Sequence, residues 1–542
     1  MGISAKANKF ILVSLTFAII LGGMTFSNLP GATAPSGRQV INGVIYDFSD
    51  YKSLTKEQLA IFNYFNDFVV GSSYNDFEGW NANRYRGTLH YMLAFTSYVF
   101  ESMFEVTSGY RTEQYRNFVY SLIKSMNTTN AEYGNDSIEH IEWDNYQFRD
   151  YYYPNATHPN EDDLYTGGFR GPANIMWTGH YALMMLLYER NFHTSEMTDE
   201  VTWFIEDWNN SLTTDGFSNP KEGGIWGAGL IPCEPYIVFA QCNSIPIFTT
   251  ELYDNLYNES WMETGLWDFG LDFIESEMTD EHGLFIDGYF VQEPMGLTPF
   301  PETQPQQYPG PALNRQLGLP RVNGYGLAWA LTFLEYTIPD KIIPRYSDFI
   351  DIYGKDLSND VMYMMGSYRN PSVFGDVNGM LANVFTTVLA NQRGDYATRD
   401  RVLNFLQDLY NKVWSQDGRM MHYDTSSLEP FLAPVVGGFS VWSTLPVTVK
   451  EMASARPSEF WDYPYISAAD DEKIWVYQAE WDAEKDAFIL NIQVDEHATL
   501  TFSNFDETPT AYAAGISLGD LVAVGSNYIL TLNPGTYQLV IM

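Results

Sequence analysis

The chain has two cysteines, Cys233 and Cys242, nine residues apart in Pro232-Cys233-Glu234-Pro235-Tyr236-Ile237-Val238-Phe239-Ala240-Gln241-Cys242-Asn243-Ser244. That spacing permits a structural disulfide. It equally permits a pair of thiols with separate chemical roles. Glu234 beside Cys233 disfavours a thiolate through like-charge repulsion, and a thiol kept neutral can give up a proton to a reacting group. His180 closes Asn174-Ile175-Met176-Trp177-Thr178-Gly179-His180 at the start of a strongly apolar helical pattern. A histidine there is either a satisfied core residue or an acid–base group. Asp67 sits among Tyr64, Phe65 and Phe68. A carboxylate in such company is costly to bury, which points to a site or a paired charge. Tyr91 lies in a helical stretch, and Tyr74 in the loop before Trp80. No metal-binding, phosphate-loop or dinucleotide motif is convincing, so neither a metal nor a cofactor is expected.

The elements that would position these residues are mostly helices. Thr55-Lys56-Glu57-Gln58 has the form of a capping box. Helical periodicity then recurs to about residue 452, at 55–70, 88–107, 112–127, 172–192, 198–211, 239–257, 263–278, 323–336, 346–357, 376–393, 398–415 and 436–452. A dozen consecutive helices without intervening parallel strands suggest helix layered on helix. A closed double ring of six helical hairpins, the (α/α)6 barrel, fits the count and the length. Two long loops interrupt the pattern. Asp144–Gly171 contains Tyr151-Tyr152-Tyr153, and Glu293–Pro320 carries seven prolines and reads as an ordered rim or lid. Near residue 460 the pattern changes to short strands at 473–481, 487–494, 498–504, 528–532 and 536–541, a small antiparallel module.

Of the 542 residues, 29 are Lys or Arg and 68 are Asp or Glu, a net charge of −39. That balance excludes nucleic acid and disfavours anionic lipid surfaces. Hydrophobic residues make up 45% of the chain and aromatics 16%, enough for a large core. Lys6 and Lys9 precede an apolar run from Phe10 to about Phe26, and Ala32-Thr33-Ala34 offers a cleavage site. Residues 1–34 thus read as a signal peptide or an uncleaved membrane anchor, and the remainder of the chain as extracytoplasmic, either secreted or anchored. The expected division is a leader at 1–34, a catalytic helical domain at 40–460 and a β-sandwich-like accessory domain at 465–542.

These fragments resemble the linalool dehydratase/isomerase family. Gly179-His180 after Asn-Ile-Met, then Cys-Glu-Pro followed by Phe-x-Gln-Cys-Asn-Ser, carries most of the resemblance. It continues in Asn63–Phe68, Phe77-Glu78-Gly79-Trp80, Tyr91–Phe95, Tyr325–Leu331, and Asn378–Ala382 with Gly394-Asp395, spanning about residues 55–455. The resemblance implies an (α/α)6 barrel that needs no cofactor. Its implied chemistry is reversible loss of water from a tertiary allylic terpene alcohol, with isomerisation to the primary alcohol. It makes Cys233 and Cys242 an active-site pair rather than a disulfide. It also brings Asp67, His180, Tyr91 and, less directly, Tyr74 into the catalytic set. Glu234, Met176, Phe239 and Tyr325 become pocket residues.

Such residues suit the reaction. Hydroxide leaves poorly, so the alcohol oxygen must be protonated as the C–O bond breaks, and a proton must leave a neighbouring carbon. Asp67, Tyr91 and Tyr74 would polarise the hydroxyl, while Cys233, Cys242 and His180 would exchange the second proton; a covalent route through Cys233 is equally open. The expected partner is a small hydrophobic molecule, with association into a homo-oligomer left open. The competing class is a carbohydrate-active (α/α)6 enzyme, which needs two carboxylates on one cleft; Glu142 and Asp144 are the candidates.

Overall fold

A computed structural model describes residues 37–71, 89–126, 129–130, 136–137, 175–213, 222–233, 236–293, 307–314, 317–369, 377–424 and 432–542. Its contacts divide the chain into two compact units. One is helical and contains Glu57–Glu105 and Gln114–Trp461. The other contains the described residues up to Lys56, Val106–Glu113 and Asp462–Met542.

The long helices are α1 (Lys56–Gly71), α2 (Leu89–Phe104), α3 (Glu113–Met126), α4 (Ile175–Phe192), α5 (Thr198–Thr213), α6 (Ala240–Tyr257), α7 (Asp268–Glu277), α8 (Gly324–Thr337), α9 (Pro339–Tyr353), α10 (Val377–Gln392), α11 (Tyr396–Leu409) and α12 (Leu432–Trp442). Two kinds alternate. α4 is buried along nearly its whole length, and α2, α6 and α8 are buried over most of theirs. α3, α5 and α11 bury one face only, through residues such as Tyr115, Phe118 and Leu122 in α3. An apolar helix must be surrounded by protein, whereas a one-sided helix can cover it and face water. α2 packs on α4, α4 on α6, α6 on α8, α8 on α10, α10 on α12, and α12 on α2.

Most helices lie where periodicity puts them, and the exceptions have local causes. The helix expected at 346–357 starts at Pro339, which occupies its first turn without needing a hydrogen-bond donor. The stretch 398–415 stops at Leu409, and Asn411–Trp414 pairs with Met421–Asp424 as a hairpin. The stretch 436–452 breaks, because Thr448 and Glu451 form a capping box that starts a separate turn, Val449–Met452. Of the proline-rich segment, Gly310–Pro311 pairs with Tyr289–Phe290, which pairs in turn with Ile237–Val238.

The second unit holds two antiparallel sheets. One orders Tyr465–Ala469, Ala498–Ser503, Asn527–Leu532 and Val522–Val524. The other orders Ile474–Asp482, Ala487–Val494, Gly535–Ile541, Thr510–Ala513 and Ile516–Asp520. Residues ahead of the first helix form a hairpin, Arg38–Ile41 with Val44–Asp47. Its turn is Asn42-Gly43, both at positive φ, the arrangement that matches strand twist. Ile41, Tyr46 and Phe48 share a core with Ala487, Ile489 and Val540. The segment Val106–Glu113 joins the same unit. Gly109 donates to Ala479 O at 2.8 Å, and a Cβ there would lie 2.6 Å from the Phe488 ring.

Candidate active site

Three small devices bring the cysteines together. The Cys233 amide donates to Ile237 O at 3.0 Å. Asn243 accepts from the Ile231 amide at 2.9 Å, and its Nδ2 lies 3.0 Å from both Ile231 O and Phe239 O. Cys242 stands in the first turn of α6, beside Asn243. The two Sγ atoms lie 3.0 Å apart. A disulfide would hold them at about 2.05 Å, so both residues are thiols, and both side chains are buried. The disulfide that spacing permits is not formed.

α4 supplies the next residues. The Ile175 amide donates to Pro232 O at 3.2 Å, tying the start of α4 to the residue before Cys233. Met176 and His180 lie one turn apart, both buried. Between them Gly179 faces α6: a Cβ at this position would lie 3.1 Å from Pro246 Cδ. Cys242 and His180 therefore stand on two helices packed at close range. Phe239, just before α6, is buried and sits beside Gly288, where a Cβ would approach its ring to 3.0 Å.

His180 is enclosed by aromatic rings. Phe95 and Tyr91 of α2 lie edge-to-face at 5.3 and 5.4 Å between centroids, and Trp329 of α8 is 5.3 Å away. Trp329 stacks on Phe385 at 5.5 Å. Tyr98 Oη lies 2.7 Å from His180 Nδ1, whereas Nε2 is buried with no hydrogen-bond partner among the described residues. Burial, reinforced by neighbouring His90, pushes the His180 imidazole well below the ordinary histidine range. His90 is itself pushed down to about 3 by burial. Both rings are neutral at physiological pH. Tyr91 is half-buried against Trp329. Tyr325 is half-buried in the first turn of α8, its amide capped by Asn323 Oδ1 at 3.2 Å, and its ring lies 6.5 Å from Phe385. Gly326 leaves room for Gln241, whose side chain would sit about 3.0 Å from any Cβ there.

Asp67 is not among the buried residues. It is exposed near the end of α1, while Phe65 and Val69 turn inward and Tyr64 stacks on His422 at 4.8 Å. Phe65 turns to the opposite face, whereas Tyr64, three residues before Asp67, shares its side of the helix. Tyr74, Glu234, Glu142, Asp144 and the 144–171 loop lie outside the described residues. Among the described residues no group of three or more His, Cys, Asp or Glu is placed to hold a metal ion. Sequence reasoning did not single out Phe95, Tyr98, Trp329 and Asn243 as site residues. Tyr98 was within reach, since it stands seven residues, about two turns, after Tyr91 and so on the same face.

The linalool dehydratase/isomerase family model matches residues 222–304. The match contains both cysteines and Asn243, and it enters the proline-rich segment, beyond the motifs in which the sequence shows the resemblance. Solved structures are similar at a lower level. A family 105 glycoside hydrolase of C. acetobutylicum ATCC 824 is 10% identical, with a TM-score of 0.39, covering 71% of this chain and 96% of its own. The GH76A α-1,6-mannanase of Salegentibacter sp. HEL1_6 is 12% identical, with a TM-score of 0.41, covering 74% and 100%. Likenesses of this size define neither the chemistry nor the closure of the helical unit.

Proposed function

We propose that the protein is a hydro-lyase/isomerase acting on a hydrophobic allylic alcohol. The observation that carries this reading is the buried pair of thiols at 3.0 Å, inside the stretch that matches the linalool dehydratase/isomerase family. An apolar, aromatic surround favours a hydrocarbon skeleton over a sugar, and water held out of such a site cannot capture an allylic cation at random. In the forward direction the hydroxyl oxygen takes a proton, the C–O bond breaks with both electrons leaving on water, and a proton departs from an adjacent carbon to form the new double bond. Asp67, Tyr91 and Tyr74 are the proposed partners of the hydroxyl. Cys233, Cys242 and His180 are the proposed groups around the second proton, with Met176, Phe239, Tyr325 and Glu234 shaping the pocket.

The helical unit is proposed to be an (α/α)6 barrel. Support comes from the alternation of enclosed and one-sided helices, and from the run of neighbours α2, α4, α6, α8, α10 and α12 that returns to α2. The β-rich unit is assigned no chemistry. No helix among the described residues is long and apolar enough to cross a membrane; the extracytoplasmic location belongs to this proposal and rests on the leader at residues 1–34.

The test is to incubate the purified protein with linalool, with other tertiary allylic alcohols, and separately with α-linked and β-linked oligosaccharides, and to identify the products. Formation of the dehydrated hydrocarbon and of the primary alcohol is the expected result. Shortened sugars without any change in the alcohols would replace this reading with the carbohydrate-active one.

A further inference from the structure

The β-rich unit leaves an apolar margin uncovered. Sixteen large hydrophobic residues are exposed among the described residues, and seven of them fall in two short stretches: Val40, Val44 and Ile45 in the hairpin, and Ile516, Leu518, Val522 and Val524 in the run that follows Gly515. Single exposed hydrophobics need no explanation, whereas a cluster marks a surface that is covered in use. Val40 stands directly opposite Ile45, so the outward face of the hairpin is apolar, while Gln39, Ile41 and Tyr46 turn inward. The second stretch comprises Ile516–Asp520, the outermost strand of one sheet, and Val522–Val524, the outermost strand of the other. Only Leu521, between them, is buried. Edge strands are ordinarily blunted by lysine or proline; here the one charged residue from 514 to 526 is Asp520. The two stretches meet at Gly515, whose amide donates to Gln39 Oε1 at 3.1 Å and where a Cβ would lie 3.0 Å from Val40 O.

The point at which the chain enters this unit indicates what covers the margin. Gly37 is fixed there, its amide donating to Gln538 Oε1 at 3.1 Å, and Gln39 Nε2 donates to Gln538 O at 2.8 Å. The apolar run of the leader ends at about Phe26, so residues 27–36 are all that separates it from Gly37. That length reaches at most about 35 Å, and an anchored leader therefore holds the margin beside the bilayer at high local concentration. We propose that the apolar margin at residues 40–45 and 516–524 rests in the headgroup layer of an uncharged, zwitterionic bilayer, the one that holds the leader. Each copy of the chain carries a net charge of −39, which opposes a second copy and an anionic lipid surface but not phosphatidylcholine. The contact is shallow, because an edge strand keeps a row of backbone groups that headgroups and water can satisfy and hydrocarbon cannot. The β-rich unit thereby seats the chain on the membrane. Seating of this kind rests on residues 1–34 being a retained anchor, and on no part of the dehydratase reading.

The experiment places the full chain, leader included, in phosphatidylcholine nanodiscs. A fluorescent thiol label is attached at Ile516→Cys or Val524→Cys, and separately at Leu357→Cys, an exposed position of the helical unit. Cys233 and Cys242 are buried, and the wild-type chain corrects for any label they take up. A doxyl group carried near the lipid headgroup should quench the labels at 516 and 524 by half or more and spare the label at 357. Ile45→Asp/Ile516→Asp, which alters exposed residues only, should stay in the disc through its leader and lose the quenching at 524. Labels at 516 and 524 that the doxyl lipid does not reach, or equal quenching at 357, overturn the proposal. Energy transfer between labels on separate chains in vesicles, without quenching by lipid, assigns the margin to a second copy and equally overturns it. A protein recovered from its cells already cut near residue 34 refutes the anchor. The same labels on that cut chain, mixed with phosphatidylcholine vesicles, then decide the surface alone: quenching retains it, and a chain that stays unquenched in solution overturns it.

Discussion

Oxidising the thiol pair should make the protein more stable and inactive. Cys233 and Cys242 Sγ lie 3.0 Å apart, so an S–S bond requires them to close by only about 1 Å. The bond would close a loop of about ten residues, and the loop-entropy relation gives about 2.7 kcal/mol of stabilisation at 25 °C. The helical unit spans about 400 residues, whose unfolding entropy is about 0.8 kcal/mol/K, so the transition should rise by about 3 °C. Both sulfur protons and both sulfur nucleophiles are lost in the same step, so acid–base and covalent routes alike stop. The assay treats the protein with diamide, which is reduced as the two thiols are oxidised. It then counts thiols in denaturant, follows thermal unfolding, and measures alcohol turnover before and after reduction by dithiothreitol. Activity should fall in proportion to thiols lost and return on reduction, while the Cys233→Ser/Cys242→Ser variant shows neither the rise in Tm nor any turnover. An oxidised protein with no titratable thiols and undiminished turnover would refute the role given to the pair. A fall in Tm on oxidation would refute the geometry from which the magnitude was worked.

Gly179→Ala should lower Tm and turnover together, because the new Cβ would lie 3.1 Å from the rigid Pro246 ring and must wedge α4 away from α6; overpacking of this kind costs about 1–3 kcal/mol. Gly→Ala in an unobstructed helix would instead stabilise by about 1 kcal/mol, so a higher Tm would refute the close approach. Glu101, buried beside Asn191 and near the Arg190–Glu105–Arg456 group, is pushed up to about 8 by burial, so the folded state holds its proton where the unfolded chain releases it. Stability should therefore fall as pH rises from about 4.5 to 8, and urea unfolding of Glu101→Gln between about pH 6.5 and 8 should show a flatter dependence; an unchanged slope would count against it. A chain ending at Trp461 should not leave residues 37–56 and 106–113 intact, since it removes Ala479 from Gly109 and Ile489 and Val540 from Tyr46 and Phe48. Limited proteolysis should cut both segments quickly, and protection equal to that of the full chain would refute this.

The helices were legible because their apolar spacing is strong over ten or more residues, and α4 and α6 appear within a few residues of where the pattern puts them. Boundaries set by one residue were harder. Thr448 with Glu451 is readable as a capping box, but a continuous apolar period runs across it. Asn42-Gly43 between Val40-Ile41 and Val44-Ile45 is a plain hairpin signal, but strands of only four residues on each side make it easy to pass over. Cys233 and Cys242 could be singled out from the sequence, yet whether they bond or merely touch is decided by a distance no spacing contains. Asp67 shows the opposite limit: Phe65 turns inward while Asp67, two residues on, is exposed, so an aromatic sequence context does not by itself bury a carboxylate on a helix. Tyr98 carries no motif, and its contact with His180 depends on how α2 lies against α4.

Asn243 holds Ile231 and Phe239 to the start of α6 with one side-chain amide, while Ile237 receives the Cys233 amide. The separation of the thiols is thus fixed by a clasp and not by the covalent path that joins them. Loss of the one Asn243 side-chain amide should therefore loosen both cysteines together, although neither is itself altered.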